Sequence, residues 1–399
     1  MILKNHNWLL FPVSICATLV VFILLWQSHF PAAATCDETG VNRQQCFAEE
    51  IEKVLKTGGL SAAFDALIVF SKQDANFATA CHGNVHEIGK AAYYRYADGE
   101  KIEYTPKMSY CGYGFFHGFM ETLLIETGDF NKAVEFCTSF DENFKSTISG
   151  GTNACFHGIG HGAVDGSDPR VWDDPSLMIR EAMGLCAQLP KENYAQHLCE
   201  TGAYNSLEIL SQDSKYDLKS LSADPYAFCS HEPRSRRGGC YTNMIPAVLI
   251  IFHNDFKKVI QYMLPQITNP DDLTIGNARV DEMAILALFH EFIRLYFNKP
   301  EEIGNAIELC REFESDRLHF ACIQGLSGGH MKYDTPESAY ENWRALCENS
   351  SLHEDERRAC FEHVLSRISL WYESDRAKRI CQSVPKQYQN YCPKKILPL

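Results

Sequence analysis

Three short segments place a cysteine just ahead of histidines at helical spacing: Cys81-His82-Gly-Asn-Val-His86-Glu87, Cys111-Gly-Tyr-Gly-Phe-Phe-His117-Gly118-Phe-Met-Glu121 and Cys155-Phe-His157-Gly158-Ile-Gly-His161-Gly162. Residues four apart on a helix lie on one face, one turn above the other. His82/His86, His117/Glu121 and His157/His161 are therefore three two-ligand faces, with five imidazoles and one carboxylate between them. If the three helices stack side by side, these groups converge into a transition-metal site suited to Zn²⁺, Cu²⁺ or non-haem iron. Glu87 and Glu121 are the candidates for a general base, or for the carboxylate that orients a ligating imidazole. A single histidine beside glycine on a packed helix usually just bonds a carbonyl. The clustering of three paired faces is what favours a metal. Glu200 and Asn205 are candidates for the rim of the same cleft, whereas His290-Glu291 and His330 read as core or surface.

Other reaction motifs are missing. Gly83 and Gly158 follow the first histidine of their pairs, so the metalloprotease pattern His-Glu-x-x-His is not formed. The sequence has no Gly-x-x-x-x-Gly-Lys phosphate loop and no dinucleotide Gly-x-Gly-x-x-Gly. Gly150-Gly151 reads as a turn before the third histidine segment.

The elements that position these residues follow from the cysteines. Seventeen cysteines in 399 residues, with no Cys-x-x-Cys, exclude zinc ribbons and thioredoxin-like motifs and point to disulfides formed in an oxidising compartment. Cys16 falls in an apolar run and is expected as a lone thiol. The other sixteen fall into close pairs: Cys36/Cys46, Cys137/Cys155, Cys186/Cys199, Cys229/Cys240, Cys310/Cys322, Cys347/Cys360 and Cys381/Cys392, with Cys81/Cys111 left to pair with each other. Several second cysteines open one pattern. Cys111-x-x-Gly114-x-x-His117-Gly118 matches Cys155-x-x-Gly158-x-x-His161-Gly162, with weaker copies at Cys199-x-x-Gly202-x-x-Asn205-Ser206 and Cys322-x-x-Gly325-x-x-Gly328-Gly329.

Apolar positions such as Phe116-Met120-Leu123-Leu124 keep helical rather than alternating periodicity. The expected fold is all-α: a solenoid-like array of helical hairpins stapled by local disulfides, spanning 36–399, with the histidine-rich repeats at 81–162. Glycine costs a helix about 1 kcal/mol against alanine, so its recurrence in the pattern needs a packing reason: close approach of a neighbouring helix. The stretch between Cys240 and Cys310 lacks cysteine, yet Met283 to Phe297 has a repeat helix's apolar face, so that copy is held by packing alone. Asp165–Pro175, His231–Gly239 and Thr268–Asp272 read as loops, with Arg234-Ser-Arg236-Arg237 a solvated basic turn. Asn349-Ser-Ser351 is a glycosylation sequon only in a host that modifies secreted proteins.

Trp8 to Trp26 is uncharged and bracketed by tryptophans, with Lys4 before it. It reads as a transmembrane signal-anchor at 8–26, with a cytoplasmic tail at 1–7 and a linker at 27–35. The small residues of Pro31-Ala32-Ala33-Ala34 leave a cleaved signal peptide as the alternative. Either way the body lies in an extracytoplasmic space: periplasm, cell surface or secretory lumen. A net charge of −14 and a pI near 5.5 exclude a nucleic-acid surface. The sequence thus reads as a membrane-anchored helical-repeat protein with a histidine-rich metal site, whether or not an enzyme. The alternative is a non-enzymatic scaffold that binds a protein or glycan partner on the solenoid face, its histidines structural.

Overall fold

The computed structural model describes residues 36, 41–74, 77–78, 80–144, 150–191, 194–269, 278–296 and 299–397. Every regular element among them is helical. The tail, the apolar run 8–26 with Cys16, and the linker lie outside the described residues. The chain divides into two units, 1–66 and 67–399. Cys36 is bonded to Cys46 in the first. Helix α1, Val41–Gln73, breaks its regular geometry at Gly59, where φ is +78°. Its stretch Arg43–Gln73 is the one described helix long and apolar enough to cross a membrane, but 44 % of its most apolar window is buried inside the protein. A core helix passes the same test.

The second unit alternates two sets of helices. It begins with α2 (Cys81–Ala97), α3 (Tyr110–Thr127), α4 (Phe130–Phe144), α5 (Gly151–Ala163), α6 (Pro175–Cys186) and α7 (Ala195–Ser211). It continues with α8 (Pro225–His231), α9 (Arg234–Asn243), α10 (Phe256–Ile267) and α11 (Val280–Tyr296). The last part holds α12 (Pro300–Arg311), α13 (Asp316–Tyr333), α14 (Pro336–Cys347), α15 (Glu354–Ser366) and α16 (Ser374–Ser383). Short helical turns occupy Lys219–Ala223, Ile245–Ile251 and Ile368–Trp371.

Disulfides join α4 to α5 (Cys137–Cys155), α6 to α7 (Cys186–Cys199), α8 to α9 (Cys229–Cys240), α12 to α13 (Cys310–Cys322) and α14 to α15 (Cys347–Cys360). Cys381–Cys392 closes the end of the chain, and Cys81–Cys111 ties α2 to α3. All eight pairings expected from spacing are formed. The α10–α11 pair has no disulfide and is held by aromatic packing, Phe256 lying 4.9 Å from Phe292 between ring centroids.

α2 and the odd-numbered helices after it pack on one another in chain order, from α2 and α3 through α5, α7, α9, α11 and α13 to α15. Matching residues show that neighbours run parallel: a Cβ on Gly114 would meet the His82 carbonyl at 2.7 Å, and one on Gly118 the His86 carbonyl at 2.0 Å. The same approach recurs between α5 and α7, where a Cβ on Gly202 would lie 1.9 Å from the His157 carbonyl. Glycine is needed there because any side chain would overlap the next backbone. That is the packing reason for its cost in helix propensity.

The row of inner helices also returns on itself. α13 packs against α3, and Tyr113 at the start of α3 meets Trp371, 5.4 Å between ring centroids. Among the described residues, α3, α5, α7, α9, α11 and α13 thus form a ring. The segment expected as a basic loop, His231–Gly239, is a loop only as far as Pro233. Arg234–Asn243 is helical because buried Gly238, Gly239 and Cys240 belong to an inner helix, and Arg236 is an ion-pair partner of Glu200 rather than a solvated charge.

Candidate metal centre

The parallel register of α2, α3 and α5 decides where the imidazoles go. Ring centroids lie 4.8 Å apart for His82–His86, 5.1 Å for His82–His117, 5.2 Å for His86–His117, 4.8 Å for His117–His157 and 4.9 Å for His117–His161. Two three-histidine groups result, His82/His86/His117 and His117/His157/His161; within each, one nitrogen per residue lies within 4.8 Å of the others. His117 belongs to both groups and sits at the centre of the cluster.

The outer nitrogens show which inner ones offer lone pairs. His82 Nδ1 lies 2.6 Å from the Cys111 carbonyl and must donate to it, which frees Nε2. Thr201 donates its hydroxyl to the Leu198 carbonyl, so its oxygen accepts from His157 Nδ1 at 2.9 Å and frees His157 Nε2. Ser206 donates to the His161 carbonyl at 2.9 Å, with its oxygen 3.4 Å from His161 Nδ1. Such partners on the far nitrogen fix the tautomer and aim of a metal-ligating imidazole.

The acceptor for His82 is presented by strained backbone. Cys111, Gly112 and Tyr113 have φ of +50°, +71° and +63°, left-handed geometry that only glycine adopts cheaply. Strain of this kind collects at functional sites.

The residues fit a metal by two observations. His82 Nε2 accepts a hydrogen bond from His86 Nε2 at 3.1 Å, a separation close to the roughly 3.4 Å expected between two imidazole nitrogens bound tetrahedrally at 2.0–2.1 Å to zinc, so an ion would take the place of that proton. Among the described residues, His117 Nδ1 and His161 Nε2 are buried with no hydrogen-bond partner, a costly condition for polar groups that a ligated ion would relieve. Burial also keeps the cluster neutral: it holds His82 at about 4, His86 at about 3 and His157 at about 4, all below the ordinary imidazole value. His117 and His161 are pushed well below that value by burial and by the neighbouring imidazoles. At neutral pH the nitrogens are bases.

The carboxylates behave differently from expectation. Glu121 joins neither three-histidine group; it lies behind His86 with Oε2 3.9 Å from Nδ1, beyond hydrogen-bond reach. Glu87 lies outside both three-histidine groups and lines a separate small pocket with His86 and Glu121. It is exposed and pairs loosely with Lys90, because the helical turn that buries His82 and His86 points the next residue outward. Glu200 is buried but held by Arg236 at 2.9 Å and by the Gln196 amide, off the cavity wall.

A cavity of about 750 Å³ opens beside the cluster inside the ring, its wall including His82, His117, His157 and Asn205. It also exposes residues that the spacing rules missed: Glu208, Glu291, Arg294, Lys332 and Tyr333. Glu291 accepts from Arg294 Nε at 2.5 Å and from the Tyr333 hydroxyl. One signal was present in the sequence, an i,i+3 Glu291/Arg294 pair within the mainly apolar stretch Ala284–Tyr296. His330, by contrast, is buried and bonds Asp334 at 2.8 Å.

Fold and site define an all-helical, disulfide-braced protein whose histidine cluster could hold a metal ion. The chain matches no protein-family model, and neither a curated protein nor a solved structure shows significant similarity to it.

Proposed function

We propose that the protein is a metal-dependent enzyme anchored to a membrane by residues 8–26, its helical-repeat body working in an oxidising extracytoplasmic space on a small molecule held in the ring cavity. The observation that carries this reading is the pair of three-histidine groups opening on a cavity. Structural zinc sites are closed by four protein ligands, whereas catalytic sites leave a position for substrate or water. Two cluster nitrogens without hydrogen-bond partners among the described residues support a bound ion over a scaffold with structural histidines.

Zinc, copper or iron in this position would supply Lewis-acid or redox chemistry. The chain's own residues supply the rest. Cys111, Thr201 and Ser206 aim the imidazoles, and Glu121 backs His86. The disulfides support an oxidising location, and the uncharged run between Trp8 and Trp26 supports the anchor.

The test is elemental analysis of the full chain purified in detergent after supplementation with Zn, Cu or Fe. Stoichiometric metal, lost in the His117→Ala/His161→Ala double variant, is expected. Wild-type protein that stays metal-free after supplementation overturns the reading.

A further inference from the structure

The cavity beside the histidine cluster has a polarity of its own. Lys332, from α13, reaches it where the ring closes. A Cβ placed on Gly112 would lie 3.3 Å from His82 Nδ1 and 3.5 Å from Lys332 Cγ, so the lysine stem and the first histidine flank the same glycine. The nearest carboxylate to the Lys332 ammonium is Glu291 at 3.9 Å, beyond hydrogen-bond reach. Glu291 itself is already engaged by Arg294 and the Tyr333 hydroxyl. Lys332 is deep inside the protein, but its side chain is 40 % exposed, and that exposure is to the cavity it lines.

The charges facing the cavity do not cancel. Lys332 and Arg294 face Glu291, which they hold ionised, and Glu208, which burial pushes up to about 7 despite a hydrogen bond from Gln212, so that it carries only part of a charge at neutral pH; burial also lowers Lys332 below the ordinary lysine value. A cationic interior in a chain of net charge −14 is a local selection for anions, because charge in a low-dielectric cleft is weakly screened.

The remainder of the wall is mixed: Asn153, Gln212, Thr242, Asn243 and Asn254 make part of it polar, and an apolar part faces them. Leu249, Ala287, Leu295 and Trp371 line it, and Ile209 and Ile250 edge it while 50 % and 54 % exposed. Large aliphatic side chains half in water mark the mouth, with the ammonium and the imidazoles further in. At about 750 Å³ the space falls in the range that encloses a drug-sized ligand.

We infer that the cavity binds a small amphiphilic anion, its acidic head held by Lys332 beside the histidine cluster and its apolar body directed toward Ile209 and Ile250. This names the substrate class of the proposed metal site and builds on that reading. The anion-binding half rests on Lys332 and Arg294 alone.

The experiment is isothermal titration of the full chain in non-ionic detergent, stripped of metal by a chelator, with three probes of one shape: 3-phenylpropionate, 3-phenylpropanol and 3-phenylpropylamine. The carboxylate is expected to bind at least tenfold more tightly than the alcohol, and the amine not measurably. Lys332→Gln should erase the carboxylate's advantage, while Lys332→Arg retains most of it. 3-Phenylpropyl phosphate, run alongside, separates a carboxylate preference from a phosphate one. Equal binding of acid and alcohol by the wild-type chain overturns the inference, as does undiminished carboxylate affinity in a folded Lys332→Gln protein. Because these titrations are metal-free, absence of metal in the purified protein would sink the metal reading without touching this result. Metal-loaded protein that binds the anion no more tightly than stripped protein would dissociate the anion site from the metal centre.

Discussion

Gly118→Ala tests the geometric basis of the metal centre. The added methyl would lie 2.0 Å from the His86 carbonyl oxygen and 2.8 Å from its Cα. Ordinary contact begins near 3.4 Å, so α2 and α3 must separate by about 1.4 Å, against a tolerance of roughly 0.2 Å in metal–ligand distances. Neither helix backbone can rotate the clash away, because the obstacle is main chain rather than a flexible side chain. Overpacking of this kind costs typically 1–3 kcal/mol, which a protein braced by Cys81–Cys111 can bear while remaining folded. The expected phenotype is a lowered melting temperature together with loss of most bound metal by elemental analysis. Gly83→Ala is the matched control on α2. Nothing lies within 4 Å of a Cβ there, and alanine favours a helix by about 1 kcal/mol, so stability should rise and metal content stay at the wild-type level. A Gly118→Ala protein with wild-type metal content and affinity would refute the claim that glycine-mediated helix contact assembles the centre.

Glu121→Gln removes a carboxylate that lies 3.9 Å from His86 Nδ1 without a hydrogen bond, so it should weaken metal affinity by less than the about 10–100-fold that loss of a bonded outer partner costs; competition with a chelator of known affinity measures it. Replacing Cys81 and Cys111 by alanine opens a loop with a sequence separation of 30, a loss of about 3.5 kcal/mol in the chain-entropy treatment, visible in denaturant unfolding. His363 is buried, and burial holds it at about 3. Its unfolded form takes up a proton first, so its contribution is complete above about pH 6.5 and drains away as pH falls toward 3. His363→Leu should therefore flatten the acid limb of the stability profile by close to one proton. Glu356 is also fully buried. Burial would raise it, but two bonds from Arg311 at 2.7 and 2.8 Å, the His353 amide and His319 outweigh that and hold it at about 2. Its contribution is present above about pH 4.5 and lost as pH falls through 2. Glu356→Gln, which leaves Arg311 poorly paired, should cost about 3 kcal/mol at pH 7 in the same unfolding assay.

The helices, their hairpin pairing and all eight disulfides could be read along the chain because each depends on neighbours close in sequence: apolar periodicity, short loops and cysteines a few turns apart. The convergence of His82, His86, His117, His157 and His161 followed from the same local logic, once glycines were recognised as contact points between parallel helices. The place of Glu87 outside both three-histidine groups could not be read that way, since i+1 from a ligand is off the face only when the helix orientation is known. Nor could Arg234–Asn243 be recognised as helical, because its two glycines and charges hide an inner helix whose burial comes from α7 and α11. Lys332 and its engaged neighbour Glu291 reach the histidines only because α13 packs against α3. That closure sums small rotations over every intervening hairpin, a quantity set by side-chain packing across the whole ring and written in no single stretch of sequence.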